Sequence, residues 1–237
     1  MARPFLSAHW KHLLNLTYEV PPERLEPHCP DGVELERSDG RSFVSLVAFD
    51  FTDTRVGGVP WPGYRSFPEV NLRFYVRHGG ERGVVFLREF VPKRAIAWIA
   101  RALYGEPYVR APMTSEQRLT PEKLSFGLRV DYGGREHELR VTADTHSTHV
   151  PPEDSPEHFF KEHSWGFGTD RLGRTRRYRV DHPRWAVYDI ESLTVDLDFE
   201  TLYGSEWAFL DDADPIHEVF AHGSDVTVYP SEPLDSA

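Results

Sequence analysis

The chain has 237 residues, with 27 Lys and Arg against 38 Asp and Glu, for a formal net charge of −11. Such a balance excludes general binding to nucleic acid or to an anionic membrane surface, both of which need basic patches to displace counterions. With 39 % hydrophobic and 27 % charged residues, no run of membrane-spanning length and no linker-like composition, it reads as a single domain over 1–237. The start, MARPFLSAHWKHLL, lacks the sections of a signal peptide, and the lone Cys29 has no internal disulfide partner, so cytoplasmic residence is the expectation.

In chain order, residues 9–20 alternate as a strand that puts Trp10, Leu14, Leu16 and Tyr18 on one face and Lys11 and Leu13 on the other. Pro21-Pro22 ends it and opens a short helix over Glu23–Pro27, which Leu25 anchors. A strand from Val33, a turn at Asp39-Gly40 and a return over Phe43–Phe51 form a hairpin. Residues 55–66, rich in Gly and Pro, read as a long loop. The strand from Phe67 alternates Glu69, Asn71, Arg73 and Tyr75 with Val70, Leu72, Phe74 and Val76, and it turns at Gly79-Gly80 into Val84–Phe90.

Pro92 then opens a helix whose Ala95, Ile96, Ile99, Ala102 and Leu103 form an apolar stripe, with Gly105 at its end. Adjacency in the chain makes that stripe the expected cover for Val70, Leu72 and Phe74. A hairpin follows around Gly133-Gly134, then a helix capped by Ser155 with Pro156 and Glu157 in its first turn. Strands are expected over 164–168, 174–180, 185–190 and 193–199, a last hairpin joins His217–Phe220 to Val226–Tyr229, and the tail 230–237 is expected to be loose. Many antiparallel strands, few short helices and no βαβ repetition give an α+β class, mainly antiparallel β, built on a closed barrel.

The polar face of the strand from Phe67 admits two readings: a solvated surface, or the lining of a barrel lumen in which a buried Glu69 must be paired or hold its proton. Histidines 146, 149, 158 and 163 cluster in sequence, but no HExxH or cysteine-pair spacing accompanies them, so no metal is expected. Cys29 has only His28 beside it, and sequence adjacency does not make a nucleophile and base. Arg171, Arg174, Arg176, Arg177 and Arg179 could dock an anion, or could form a charged hairpin paired with the acidic stretch 189–200. Without a phosphate-binding glycine loop or dinucleotide fingerprint, no cofactor is expected.

The stretches WKHLLNLTYEVPPERLEPHCPDGVELE, FPEVNLRFYVR, ALYGEPYVRAPM, SPEHFFKE and YRVDHPRW, in that order, resemble the YqjF-like family, a domain of unknown function, over nearly the whole chain. That family is in turn similar to the acetoacetate decarboxylases, which implies their closed β-barrel fold and a ligand in its lumen. In the decarboxylases a Tyr-Pro-Lys-Lys-like stretch supplies the Schiff-base lysine and its cationic neighbour. Here the corresponding residues are Glu106-Pro107-Tyr108-Val109, and both amines are missing. The resemblance puts Glu69 at a lumen glutamate and Lys11 near a lumen arginine.

Two functions follow. One is a barrel that binds a small oxygenated or anionic molecule through Lys11, Glu69, Asn71, Arg73 and Tyr108. The other is an enzyme using Glu69 as general acid or base on a carbonyl or carboxylate substrate. A small molecule is the expected partner in both.

Overall fold

The computed structural model describes residues 3–94, 105–153, 155–161 and 163–234. Its first half contains strands β1 (Leu6–Val20), β2 (Glu34–Leu35), β3 (Ser42–Val56), β4 (Val59–Pro60), β5 (Phe67–His78), β6 (Glu81–Val91), β7 (Tyr108–Arg110) and β8 (Met113–Leu119). The second half adds β9 (Lys123–Tyr132), β10 (Arg135–His149), β11 (Trp165–Thr169), β12 (Thr175–Asp181), β13 (Val187–Asp196), β14 (His217–Ala221), β15 (Asp225–Val228) and β16 (Glu232–Pro233). Short helices α1 (Pro22–Leu25), α2 (Pro156–Lys161) and α3 (Phe199–Tyr203) complete the described elements. The expected helix after Pro92, with Ala95, Ile96, Ile99, Ala102 and Leu103, lies outside the described residues.

Seven strands close a ring in the order β3, β5, β6, β11, β12, β15, β1 and back to β3. A second arm, β14, β13, β10, β9 and β8, leaves the ring along the other half of β1 and folds over its outside. Most pairings are antiparallel, but β6 runs parallel to both β11 and β7. The protein is mainly β, a mixed closed barrel with few helices.

Alternation along β5 divides the apolar material into two layers. Val70, Leu72 and Phe74 point outward and share one buried cluster with Phe126 and Leu128 of β9 and Trp207. Phe67, Glu69, Asn71 and Arg73 point inward, where Val47, Phe49 and Leu13 line the same space. The barrel is thus buried on both faces along this strand, and its polar residues have no route to bulk water except the lumen.

β1 departs from simple alternation. The register against β3 slips between Lys11 and Leu14, and His12 adopts φ 55°, a left-handed conformation for a non-glycine residue. The inserted residue flips the phase, so Trp10 and Leu13 both line the lumen while Leu14, Leu16 and Tyr18 face the outer cluster. Trp10 therefore does not share a face with Leu14, as strict alternation had implied.

Several other expectations are corrected. β3 runs on to Val56 and turns at Gly57-Gly58 into β4, so half of the expected 55–66 loop is a tight hairpin. Residues 187–196 form one strand, irregular near Ile190, rather than two. His217–Ala221 and Asp225–Val228 do not pair with each other: both lie along the same edge of β1, one opposite residues 13–17 and the other opposite 6–9. The tail is not loose as far as Leu234, because Arg176 and Arg177 pair with Pro233 and Glu232, and Leu234 N donates to Thr175 O at 3.0 Å. Residues 235–237 lie outside the described residues.

Candidate functional site

Alternation on β5 sends Glu69, Asn71 and Arg73 into the lumen, and their ring neighbours complete the site. Between Leu72 and Arg73 the register against β6 slips by one residue, so that Glu89 stands opposite Asn71 while Phe86 stands opposite Arg73. Both line the cavity, although three positions apart in sequence. β7 lies parallel to the end of β6, with Tyr108 opposite Glu89 and Glu89 N donating to Pro107 O at 3.2 Å. This seats Glu106 and Tyr108 beside Glu69. Tyr178 enters from β12, across from Gly166 of β11. A Cβ on Gly166 would sit 2.2 Å from the Tyr178 ring, so only glycine leaves the phenol room to lie there.

The space enclosed is a cavity of about 120 Å³. Its apolar wall includes Trp10, Phe49, Phe51 and Phe67, in contact as an aromatic chain with Trp10 to Phe49 centroids 5.1 Å apart and Phe51 stacked on Phe67 at 4.8 Å. Its polar patch is compact. Glu69 Oε1 accepts from Asn71 Nδ2 at 3.0 Å and Glu69 Oε2 accepts from the Tyr108 hydroxyl at 3.0 Å. Glu69, Glu89 and Glu106 are all buried.

Burial pushes Glu69 up to about 7, against the opposing pull of the Asn71 and Tyr108 hydrogen bonds. Glu106 is pushed up to about 8, again by burial, with Tyr178 opposing. Glu89 is held well above the ordinary carboxylate range by burial and by the charges of Glu69 and Glu106. Burial, followed by the nearby carboxylates, also raises the Tyr108 phenol well above its usual value. Carboxyl groups that cannot all ionise together share protons and titrate as a set. The site can therefore offer a carboxylic acid and a carboxylate side by side near neutrality.

Arg73 is the cavity's guanidinium, yet among the described residues it makes no ion pair with Glu69 and instead directs Nη2 to the Phe160 carbonyl at 3.4 Å. That carbonyl, near the end of α2, also accepts from Asn15 Nδ2 at 3.2 Å and the Tyr75 hydroxyl at 3.3 Å. Ser155 caps α2 as the sequence implies, its Oγ accepting from His158 N at 3.2 Å. Phe160 packs against Phe43 and Tyr75, so α2 stoppers this end of the barrel.

Lys11 stands apart from the other four expected residues. It is exposed on the outer face of β1, where a shallow surface groove includes Ser7, His9 and Asp53. Among the described residues, none that lines the lumen cavity is a lysine. The four histidines also separate: His163 Nε2 meets Glu36 Oε2 at 3.1 Å in a buried pair, while His146 and His149 approach Asp144 and Asp189 at the surface. Among the described residues no group of three or more His, Cys, Asp or Glu side chains is arranged to hold a metal ion. Burial lowers His163 to about 4, which leaves Arg82, with Nε donating to Glu36 Oε1 at 2.7 Å, as the lasting counter-charge of Glu36. The arginine run is a charged hairpin, but its partners are Asp170, Asp181, Glu81 and Glu232 rather than the 189–200 stretch. Cys29 is half-buried, with Sγ 3.8 Å from Leu25 O.

Residues 7–225 match the model of DUF2071, described as an uncharacterized conserved protein. The chain belongs to the DUF2071 family. A relative, the uncharacterized protein YqjF of Bacillus subtilis (strain 168), is 25 % identical over 229 residues, covering 93 % of this chain and 89 % of that one. Among solved structures, the enduracididine biosynthesis enzyme MppR, complexed with the condensation product of pyruvate and imidazole 4-carboxaldehyde, superposes with a TM-score of 0.67 at 15 % identity, covering 98 % of this chain and 90 % of that one. An acetoacetate decarboxylase from Legionella pneumophila gives a TM-score of 0.64 at 15 % identity, covering 99 % and 88 %. This DUF2071 protein therefore has the acetoacetate decarboxylase-like fold. No helix among its described residues is long and apolar enough to cross a membrane.

Proposed function

We propose that the barrel lumen binds a small polar organic molecule, held by Glu69, Asn71, Arg73, Glu89, Glu106 and Tyr108. The observation that carries this reading is the cavity with aromatic walls on one side and convergent polar groups on the other, the usual build of a small-molecule site. The solved relative bound to a pyruvate-derived product holds its ligand in a protein of the same fold. Lys11, on the outer surface, is not part of this proposal. An anionic ligand fits less well than the sequence suggested, since it would share the lumen with three carboxyls and one guanidinium.

Among the described residues the lining includes no primary amine, which a Schiff base requires, and this supports reading the chemistry as binding or proton transfer. The second reading, catalysis by Glu69 as general acid or base, is favoured by its position near half-protonation at about 7. Thermal-shift screening of small oxo, hydroxy and amino compounds, run beside a turnover screen of the same panel, tests both. Borohydride reduction in the presence of acetoacetate should leave no adduct detectable by mass spectrometry. An adduct on Lys11 or Lys93 would revive decarboxylation through a relocated amine.

A further inference from the structure

We propose that the molecule the lumen takes is a small protonated amine, whose ammonium group docks among Glu69, Glu89 and Glu106 while its carbon chain lies against Trp10, Phe49, Phe51 and Phe67. The inference rests on the reading of the lumen as a small-molecule site and names the class of molecule.

Charge is the first argument. The lining holds three buried carboxyls and a single cation, Arg73, which makes no ion pair among the described residues and is engaged with the Phe160 carbonyl. Buried carboxyls short of counter-charge keep their protons, and among the described residues Arg73 is the one cation lining the cavity. The sequence shows where one is lacking: at Tyr108 and Val109 the resemblance to decarboxylases would call for a pair of lysines. An ammonium brought in by the ligand restores that charge without a covalent bond.

The second argument is independent of charge. Among the described residues, Asn71 Oδ1 and Glu89 Oε1 are buried lining acceptors without a hydrogen-bond partner, Glu106 has the Tyr178 hydroxyl as its partner, and Arg73 Nε and Trp10 Nε1 are lining donors without one. Asn71 Oδ1 and the oxygens of an ionised carboxyl can only accept, so a ligand that brings N–H groups complements them. An ammonium has three of them. Aromatic faces beside the acids add favourable contact for a cation. A volume of about 120 Å³ suits roughly five non-hydrogen atoms, given that a cavity of about 150 Å³ accommodates benzene.

Three probes of one shape test the proposal: n-butylamine, butan-1-ol and butyrate, each titrated calorimetrically and by thermal shift at pH 7. The amine is expected to bind about tenfold or more tighter than the alcohol, and butyrate not to bind. Because the carboxyls hold protons when the site is empty, amine binding should also release protons, read as an enthalpy that changes with the ionisation heat of the buffer. The groups facing the ligand in that titration are Glu69 and Arg73 from β5, Glu89 from β6, Glu106 and Tyr108 at β7, and Tyr178 from β12. Glu89→Gln keeps shape and volume, and should erase the preference for amine over alcohol. Its melting temperature shows whether the variant is folded, and Glu106→Gln serves the same purpose should it fail. Alcohol or butyrate binding as tightly as the amine, or amine preference surviving both substitutions, overturns the proposal but leaves the lumen a ligand site. No binding by any of the three overturns both.

Discussion

Between pH 6.5 and 8, the protein is expected to lose roughly 2–4 kcal/mol of stability, the reverse of an ordinary acidic protein whose carboxylates are paired. Glu69 and Glu106 have folded-state values of about 7 and 8 against an ordinary 4.5, and Glu89 is raised with them. An acid raised in this way keeps its proton in the native state after the unfolded chain has released it. Its contribution is fully present below 4.5 and is lost as the pH climbs through the folded values. His163 works in the opposite sense, since its lowered value of about 4 costs stability as the pH falls from 6.5. From 6.5 to 8 the unfolded imidazole loses its remaining half proton, which returns only about 0.4 kcal/mol and leaves the carboxyl loss dominant. Denaturant melts at half-unit steps read the slope, about 1.4 kcal/mol per pH unit for each proton held. Glu106→Gln should flatten it. A wild-type curve level across this window would mean that the lumen carboxyls are ionised and hydrated.

Gly223→Ala is expected to cost more than about 4 kcal/mol, among the largest effects a single methyl group can have. Gly223 has φ 83°, and a Cβ there would lie 2.1 Å from the backbone oxygen of Trp10. It occupies the short link at which the chain stops pairing with residues 13–17 of β1 and resumes at 6–9, passing the bulge at His12. Backbone meets backbone at that point, and neither strand can retreat without breaking its ladder. Gly58→Ala is the control, with φ 82° and open space around it, and should cost only about 1–2 kcal/mol. Chemical denaturation of the two variants side by side decides the matter. Equal losses would show that the junction yields.

The barrel was legible because turns and alternation are local signals: Gly79-Gly80 and Gly133-Gly134 each join the expected hairpin, whereas Asp39-Gly40 turns the chain across a single Ser38–Arg41 bridge and the strand before it, β2, pairs with β5 instead of β3. Within the site, Glu69 and Asn71 were found by period 2 along β5, and Tyr108 by its place in the family resemblance. Glu89 was missed because a one-residue slip in β6 puts it on the same side as Phe86, where strict alternation separates them. Glu106 was missed because it precedes a proline in an irregular stretch, where no periodicity reports a side chain's direction. Tyr178 was hidden among arginines, though Tyr178 and Val180 share a face on alternation, and both line the lumen. Lys11 was misplaced for the same reason as Trp10: the bulge at His12 changes which side each residue faces, and nothing in the residue types there marks an insertion.

The pairing of Leu6–His9 with Asp225–Val228 sets the order in which this molecule can be completed. One edge of β1 waits for β15, more than 200 residues further on, so the ring stays open until both have been made. Contacts of such sequence separation form late and slowly. Until residue 228 has emerged, water reaches Glu69, Glu89 and Glu106, and a hydrated carboxyl has ordinary acidity. The unusual protons of the lumen are thus acquired at the last step of folding. A nascent or truncated chain lacking that strand would carry every acidic residue of the lumen without the burial that raises their pKa values.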